Sequence, residues 1–390
     1  MSHTPLDASR DSPSEPLDGG FRETFGRAPT HGFFAPGRVT LIGDHTDYTG
    51  GWVLPLAIQL RTAVHAALRD DDRIRVTSTA FIGPVHERRT SDLTPNADSW
   101  ASYVEGSVWV LRDEGVAVPG FEMAIASEIP IGAGLSSSAA LTCATLSTLL
   151  DLCGARWPAP QVARAARRVE NDYLGAPVGV MDPMVVMLSR AGHALLFDTR
   201  SLERELVALP LHGNGLELLV VDTGAAHSTS GEQYADRVRQ CAEATEALRL
   251  GSLRELTSVE QTDALDDPVL RARARHVVTE NQRVLECAEL LRSGRVGEIG
   301  PLLLASHASL RDDFAVSTPE LDRVVEAAVS AGALGARLTG AGFGGCAVVL
   351  IDRDAVDEFA SALDLALTGA GDPSPTVLAV VPSGPCVPTW

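Results

Sequence analysis

The sequence predicts an α+β protein built from two lobes. Its 390 residues, 45% of them hydrophobic and 21% charged, have the composition of an ordinary folded globular protein. The chain is also longer than a single hydrophobic core usually serves. Short β-like runs alternate with segments of helical period, but without a regular β-α-β repeat. This pattern favours α+β over a doubly wound α/β sheet.

In the first half of the chain, ordered elements are expected after a flexible start. Residues 1–20 are rich in Ser, Pro and Asp and are predicted to form a flexible tail. Strands are predicted at Arg73–Ser78 and Phe121–Ile129, the second because its apolar residues fall at even spacing. Helices are predicted at Ser137–Cys153 and Gln161–Leu174 from the spacing of their apolar residues.

In the second half, helices predominate between two strands. The predicted elements are a strand at Leu216–Asp222, a helix carrying Tyr234, Val238 and Cys241, helices around Arg271–Leu291, Gly297–Leu310 and Pro319–Ala331, and a strand at Cys346–Ile351. No composition shift marks a linker, so we place the lobe boundary near 212–215. The expected lobes are residues 21–212 and residues 213–390.

The charge and cysteine content exclude several classes of protein. Fifty-one acidic residues against 32 basic ones give a formal net charge of −19, which disfavours nucleic acid or an anionic membrane as a partner. Every basic residue is Arg, and the absence of Lys excludes a P-loop lysine, the protein-kinase strand lysine and Schiff-base chemistry. The six scattered cysteines, the acidic start and the lack of a long apolar run predict a cytoplasmic protein with reduced thiols.

A glycine–serine segment at Ile131–Ala140 (IGAGLSSSAA) predicts a phosphate-binding loop. Glycines allow a ligand to approach the backbone, and the positive end of the following helix favours an anion. The serine hydroxyls add donors and can ligate Mg²⁺, so this cradle needs no lysine. A glycine turn with serine helix caps is the alternative interpretation.

The segment Ala35–Tyr48 carries Asp44, His45 and Asp47 beside a tight turn and Arg38. Carboxylates and an imidazole offer directional partners to neighbouring hydroxyl groups, so we predict a polyol ligand. A polar turn with capping aspartates is the alternative. A metal site is a weaker one, because no second histidine is suitably spaced.

Three motifs together resemble the GHMP small-molecule kinases. They are Gly37–Tyr48 (GRVTLIGDHTDY), Ile131–Ala140 and Leu338–Cys346 (LTGAGFGGC), and the first is similar to the galactokinase signature. The resemblance continues between them and covers the chain from about residue 25 to residue 350. It implies an N-terminal lobe like domain 2 of ribosomal protein S5, a ferredoxin-like C-terminal lobe, and a site between them. It also implies MgATP-dependent phosphorylation of D-galactose at C1 to α-D-galactose 1-phosphate, the first step of galactose catabolism, by a monomer.

The resemblance also implies a role for each matching residue. Asp182 would be the general base that takes the C1 hydroxyl proton, and Arg38 would hold it ionised and stabilise the phosphoryl charge. The implied sugar contacts are Asp44, His45, Thr46, Asp47, Gly179 and Tyr234. The implied ATP contacts are Gly132, Ala133, Gly134, Leu135, Ser136, Ser137 and Ser138, with Ser78, Trp100 and Tyr103 near the base. Ser138 and Glu170 would ligate Mg²⁺.

Without the resemblance, these residues have ordinary explanations. Arg38 and Asp182 fit a plain ion pair, and Tyr234, Trp100 and Tyr103 fit core packing. The third glycine motif is assigned a supporting role. The leading rivals are a kinase of the same family for another sugar, such as N-acetylgalactosamine or L-arabinose, and an inactive sensor that regulates transcription. The unbroken glycine–serine loop and the presence of Asp182 argue against the sensor.

The chain departs from the family pattern at four positions. Asp44 replaces the usual Glu, Thr40 the usual Asn, Pro183 the usual Gln and Ala341 a Gly. Asp44 withdraws its carboxylate by about 1.5 Å, the length of one carbon–carbon bond. We therefore predict intact catalysis with altered tolerance at C6 of the sugar.

Overall fold

The computed structural model describes residues 14–224 and 230–390. Its strands are β1 (His31–Ile42), β2 (Trp52–Leu68), β3 (Arg73–Ser78), β4 (Phe81–Arg89), β5 (Phe121–Ser127), β6 (His193–Asp198), β7 (Arg204–Ala208), β8 (Leu216–Asp222), β9 (Gly335–Thr339), β10 (Cys346–Asp352), β11 (Thr376–Val380) and β12 (Val387–Pro388). Its α-helices are α1 (Ser14–Phe25), α2 (Ser102–Asp113), α3 (Ser137–Leu152), α4 (Ala159–Arg168), α5 (Met181–Leu188), α6 (Ser230–Ala247), α7 (Pro268–Arg292), α8 (Gly300–Asp312), α9 (Pro319–Ser330) and α10 (Val356–Gly369).

The strands form two sheets, one in each lobe. The first has the order β12-β1-β2-β5-β3-β4, and β6 pairs with β2 and with β7. Within it, β3 and β5 are parallel, whereas the other pairs are antiparallel. The second sheet has the antiparallel order β11-β8-β10-β9. This mixture of helices and largely antiparallel sheets confirms the predicted α+β class.

The second sheet is buried on both faces, and this joins the lobes into one packed body. Leu218 and Val220 of β8 belong to a core cluster that contains the first-lobe strands, whereas Leu219 and Val221 belong to the second-lobe cluster. Successive side chains of a strand point to opposite faces. A run of apolar residues without polar alternation is therefore what a strand between two cores requires.

Helix α1 corrects part of the predicted flexible tail. Residues 1–13 lie outside the described residues, but the helix begins at Ser14. Leu17, Phe21 and Phe25 follow one another at four-residue spacing, and Leu17 and Phe21 are buried in a cluster with Phe34 of β1. The prediction of a flexible tail rested on the Ser, Pro and Asp content and overlooked these apolar residues. Their burial stabilises α1 against the first sheet.

The end of the chain corrects the second predicted lobe. β12 pairs with β1, and the Thr389 N–H donates to the Gly32 carbonyl at 3.0 Å. The Ser383 N–H likewise donates to the Ala57 carbonyl of β2 at 2.8 Å. The last residues of the expected 213–390 lobe thus belong structurally to the first sheet. A two-residue strand carries too little periodicity to be seen in the sequence.

The predicted helix Gln161–Leu174 is two elements rather than one. α4 ends at Arg168, and a π-helical turn follows at Val169–Tyr173. Such turns insert an extra residue and redirect the side chains around them. Across the described ranges, we find no helix with the length and apolarity that a membrane crossing requires.

Candidate active site

Two cavities lie between the lobes and a third adjoins them within the first lobe, and Ser138 lines all three. The glycine cavity, of about 270 Å³, is lined by Arg38, Gly132, Gly134, Leu135, Ser136, Ser137, Ser138, Asp182, Thr339, Ala341, Gly342, Gly344 and Gly345. The carboxylate cavity, of about 290 Å³, includes Asp44, Asp47, Glu170 and Asp182. The aromatic cleft, of about 140 Å³, includes Trp100 and Tyr103. One extended ligand can therefore reach from the aromatic cleft to the edge of the carboxylate cavity.

The loop between β5 and α3 forms one wall of the glycine cavity. Gly132, Gly134 and Ser136 have φ values of 81°, 75° and 59°, and α3 begins immediately afterwards at Ser137. The first N–H groups of a helix have no partner within the helix, and the dipole adds positive potential there. The loop therefore suits an anionic ligand such as a phosphate. Within the predicted range Gly132–Ser138, Ala133 is buried behind this wall and does not line the cavity.

The third glycine motif lines the same cavity, although the sequence interpretation gave it only a supporting role. Gly342 has a φ of 73°, and a Cβ there would overlap the Val316 carbonyl. A Cβ on Gly340 would lie 3.2 Å from the Gly134 carbonyl. The two glycine loops therefore touch, and this close approach brings residues 339–345 to the cavity. The glycine content of residues 339–345 indicated a close approach to another segment, but the sequence did not identify that segment as the loop before α3.

Arg38 and Asp182 form a bidentate ion pair where the glycine and carboxylate cavities meet. Arg38 Nε lies 2.7 Å from Asp182 Oδ1, and Nη2 lies 2.6 Å from Oδ2. The third guanidinium nitrogen donates to the Gly134 carbonyl at 2.6 Å, and the Ser136 hydroxyl donates to Asp182. Burial disfavours the charged guanidinium, but the combined attraction of Asp182, Asp44 and Asp47 outweighs it and raises the pKa of Arg38. The pair fixes a carboxylate at the junction of two cavities.

The local backbone explains how Arg38 reaches this position. The Arg38 N–H donates to the Leu135 carbonyl at 3.1 Å, which docks β1 on the glycine loop. A Cβ on Gly37 would lie 2.9 Å from that carbonyl, so a larger residue would push the strand away. Asp182 lies in the first turn of α5, followed by Pro183. Proline is tolerated in a first turn, where its missing N–H has no helical partner.

Glu170 faces Ser138 from the π-helical turn. The Ser138 hydroxyl donates to Glu170 Oε2 at 3.3 Å, and Glu170 lines the carboxylate cavity while being 7% exposed. Burial, together with the nearby negative charge of Asp182, raises the pKa of Glu170 to about 7. A buried carboxylate of this kind gains from a cation. No group of three or more His, Cys, Asp or Glu side chains in the described ranges is arranged to hold a metal, so protein carboxylates alone form no cage.

Five of the six predicted sugar-contact residues line the carboxylate cavity. They are Asp44, His45, Asp47, Gly179 and Tyr234. Asp47 and Gly179 are packed so closely that a Cβ on Gly179 would overlap Asp47 Oδ2. Burial, followed by repulsion from Asp182, raises the pKa of Asp47 to about 7. The cavity therefore offers several oxygen groups that are poorly solvated and favour hydrogen-bonding ligands.

The ring nitrogens of His45 are both occupied by protein groups. Nε2 lies 3.1 Å from the Ala341 carbonyl and Nδ1 lies 2.9 Å from the Tyr48 hydroxyl. Because a carbonyl can only accept, Nε2 carries the proton and Nδ1 accepts from Tyr48. Burial lowers the pKa of His45 to about 3, so the ring is neutral. His45 therefore lines the cavity as expected, and in this arrangement its ring nitrogens bond Tyr48 and the carbonyl of residue 341.

Thr46 is brought to neither the cavity nor its rim. Its hydroxyl lies 2.8 Å from the Gly43 carbonyl and 2.7 Å from the Trp52 carbonyl, and the side chain is fully buried. The expected sugar contact of Thr46 is therefore corrected to a structural role in the turn. A short polar residue inside a binding motif gives no sequence signal that separates these two roles.

The aromatic cleft gathers the three residues that were predicted to border a base. Ser78, Trp100 and Tyr103 line it, and Phe81 and Ile131 join them. The Phe81 and Trp100 rings are stacked, with centroids 5.2 Å apart and planes 6° apart. Phe81 lies at the start of β4, where the sequence gave no reason to single it out. A flat apolar slot of this kind suits a planar ring.

Similarity to known proteins agrees with this geometry. Residues 102–190 match the model of the GHMP kinases N terminal domain, and residues 287–368 match that of the GHMP kinases C terminal domain. The structure of mevalonate kinase from Methanococcus jannaschii shares the fold, with a TM-score of 0.68 at 18% identity over 91% of this chain and 99% of that one. A glycine-loop cavity between two such lobes defines a GHMP kinase, which carries out ATP-dependent phosphoryl transfer.

More specific matches narrow the class. Residues 20–68 match the galactokinase galactose-binding signature. The chain is 43% identical to galactokinase from Streptomyces coelicolor over 93% of this chain and 95% of that protein, and 40% identical to human galactokinase over 86% and 87%. The structure of Lactococcus lactis galactokinase complexed with galactose has a TM-score of 0.92 at 33% identity, covering 96% of this chain and 100% of that one. The chain belongs to the galactokinase family and is a sugar kinase.

Proposed function

We propose that the enzyme transfers the terminal phosphoryl group of ATP to the C1 hydroxyl of D-galactose, giving α-D-galactose 1-phosphate and ADP. The observation that carries this proposal is the Arg38–Asp182 pair at the junction of the glycine and carboxylate cavities. A sugar in the carboxylate cavity and a phosphate in the glycine cavity would meet at this carboxylate. Galactose is named because it is the ligand of the similar Lactococcus lactis structure.

In the proposed mechanism, Asp182 accepts the proton of the C1 hydroxyl as that oxygen attacks phosphorus. Its two oxygens are held by Arg38, so the carboxylate keeps one orientation toward the substrate. Arg38 remains charged throughout and stabilises the negative charge on the attacking and transferred oxygens. Positioning and charge stabilisation, rather than a covalent enzyme intermediate, are what phosphoryl transfer requires.

The remaining predicted residues divide between the two substrates. We propose that the glycine cavity holds the ATP phosphates and that Trp100 and Tyr103 of the aromatic cleft border the adenine. Asp44, His45, Asp47, Gly179 and Tyr234 would surround the sugar. These residues all come from one chain, which is consistent with the proposed monomer.

Ser138 and Glu170 fit a magnesium ion that accompanies ATP. Their side chains face one another, and the buried Glu170 carboxylate makes no ion pair within the described part of the chain. One hydroxyl and one carboxylate, completed by phosphate oxygens and water, suit the octahedral preference of Mg²⁺. When bound, the ion would neutralise charge on the ATP phosphates. Ser138 and Glu170 would orient it at the boundary of the three cavities.

Glu170→Gln is expected to raise the Mg²⁺ concentration needed for half-maximal activity about tenfold, because it keeps the shape of the side chain and removes the ligand charge. The measurement is initial rate against free Mg²⁺ at saturating sugar. Glu205→Gln, at a surface ion pair with Arg292, is the matched control. An unchanged Mg²⁺ dependence in Glu170→Gln would remove this residue from the proposed metal site.

Gly179→Ala is expected to raise KM for galactose about tenfold or more, a cost of about 1.4 kcal/mol. The added methyl group displaces the Asp47 carboxylate from its place in the carboxylate cavity. Steady-state kinetics with each substrate varied in turn would show the change in KM for the sugar but not for ATP. Gly213→Ala is the matched control, because Gly213 has no positive φ and an added Cβ would meet no atom closer than 4.0 Å. Gly175→Ala would be a poor control, because the positive φ of Gly175 strains any other residue.

A coupled assay of ADP release across a panel of aldoses tests the proposed substrate. We expect galactose to be the preferred acceptor, with the discrimination against 6-deoxygalactose differing from that of ordinary galactokinases because Asp44 is shorter than Glu. Preferred turnover of N-acetylgalactosamine or L-arabinose would establish the rival sugar kinase. Binding of sugar and ATP without ADP release would establish the sensor.

A further inference from the structure

Arg337 of β9 connects the second lobe to the segment that carries the sugar motif. Its side chain is fully buried. Nη1 lies 2.9 Å from the Thr40 carbonyl and 3.2 Å from the Leu41 carbonyl, and Nη2 lies 2.6 Å from Asp44 Oδ2. Among the described residues, every hydrogen bond of this guanidinium therefore goes either to the C-terminal end of β1 or to Asp44.

Hydrogen bonds among the described residues engage only one oxygen of Asp44. Oδ2 accepts from Arg337 and also from the Gly340 N–H at 3.2 Å. Oδ1 has no hydrogen-bond partner within the described ranges, and Asp44 lines the carboxylate cavity. Two donors on Oδ2, Arg337 Nη2 and the Gly340 N–H, restrict rotation of the carboxylate, so its second oxygen keeps one direction.

The same contact determines the chemical character of Asp44. Burial raises the pKa of this carboxyl group, and attraction to Arg337 is the largest influence that opposes the rise. A neutral acid can donate a hydrogen bond, whereas an ionised carboxylate can only accept one. The 2.6 Å hydrogen bond from the permanently charged Arg337 favours the ionised carboxylate, and in that form Asp44 accepts from ligand groups that donate, such as hydroxyls.

We propose that Arg337 is a positioning residue that sets selectivity for the sugar, by fixing Asp44 as a one-oxygen hydrogen-bond acceptor in the carboxylate cavity. The inference rests on the function proposed above. It identifies a second-lobe residue, outside the cavity lining, as the group that compensates for an aspartate where the family usually has a glutamate. The shorter acid needs a fixed direction because it cannot adjust its reach. The competing explanation is that Arg337 only fastens the lobes together.

Kinetics of four variants distinguish these explanations. They are Arg337→Lys, Asp44→Asn, the double variant Asp44→Asn/Arg337→Met, and Arg323→Lys as a matched control. Arg323 pairs with Asp372 in the second lobe and lines none of the three cavities. KM for galactose, KM for ATP and the galactose to 6-deoxygalactose ratio are measured on each folded variant, together with Tm. Turnover of galactose by the unmodified enzyme is established first, and its absence would defeat the proposed function rather than this inference.

A positioning role predicts that Arg337→Lys raises KM for galactose about tenfold and leaves KM for ATP within about twofold. A lysine has a single ammonium group, which cannot bond Asp44 and the Thr40 and Leu41 carbonyls in the same geometry as two guanidinium nitrogens. It also predicts that Arg337→Met adds no further change to Asp44→Asn, since Arg337 acts only through Asp44. An unchanged galactose KM in Arg337→Lys, an equal rise in both KM values, or a further loss in the double variant would overturn the inference. If Arg337→Lys does not fold, the comparison of Asp44→Asn with Asp44→Asn/Arg337→Met distinguishes the two explanations. The double variant removes both buried charges, so neither is left without its partner.

Discussion

Asp182→Asn is expected to lower kcat on galactose about a thousandfold, within the range that a positioned general base contributes. The amide keeps the size of the side chain and one oxygen for Arg38, but it cannot accept the C1 proton at neutral pH. The check is single-turnover and steady-state kinetics of ADP release, with sugar and nucleotide binding followed by calorimetry.

Asp172→Asn is the matched control for this change. Asp172 lies ten residues earlier in the chain and pairs with Arg168 at the surface. We expect it to retain the activity of the unmodified enzyme. If Asp182→Asn bound both substrates and turned over at a comparable rate, Asp182 would not be the base and another proton acceptor would be required.

Arg38→Lys is expected to lower kcat/KM at least about a hundredfold, the loss typical of removing one donor that stabilises transition-state charge. The substitution preserves a positive charge, but a single ammonium cannot contact both Asp182 oxygens and the Gly134 carbonyl as the guanidinium does. Kinetics of this variant should show the loss mainly in kcat. Arg168→Lys, which alters a surface ion-pair cluster, should be nearly silent. A near-normal kcat in Arg38→Lys would mean that the positive charge at this position suffices for catalysis and that the guanidinium contacts to Asp182 and Gly134 are not required.

The phosphate-binding loop could be predicted from the sequence because it leads directly into a regular helix. Gly132–Ser136 ends where α3 begins at Ser137, and the start of a helix suits an anion. Asp47, Gly179 and Tyr234 come from three distant segments and meet in one cavity, which only the family resemblance could predict. Periodicity indicates which face of a helix is buried, but it does not indicate what another segment places against that face.

Hydrogen bonding explains where the sequence interpretation was least informative. Thr46 stands inside a polar motif, yet its hydroxyl bonds the nearby Gly43 and Trp52 carbonyls and does not line the cavity. Arg337 had no motif of its own, although it makes the ion pair to Asp44. Hydrogen-bond partners that are hundreds of residues apart leave no local trace in a sequence. Helix α1 and β12 were missed for the related reason that each is stabilised by distant parts of the first sheet.

The pairing of β12 with β1 has a consequence for synthesis on the ribosome. Strand β1 is completed by residue 42, but Phe33 and Phe34 on its outer edge pair with residues 387–388. During translation this part of the edge therefore stays unpaired until residue 388 has been synthesised, and unpaired edges invite mispairing between nascent chains. Products that stop before residue 387 would keep this edge open and would be more prone to aggregate.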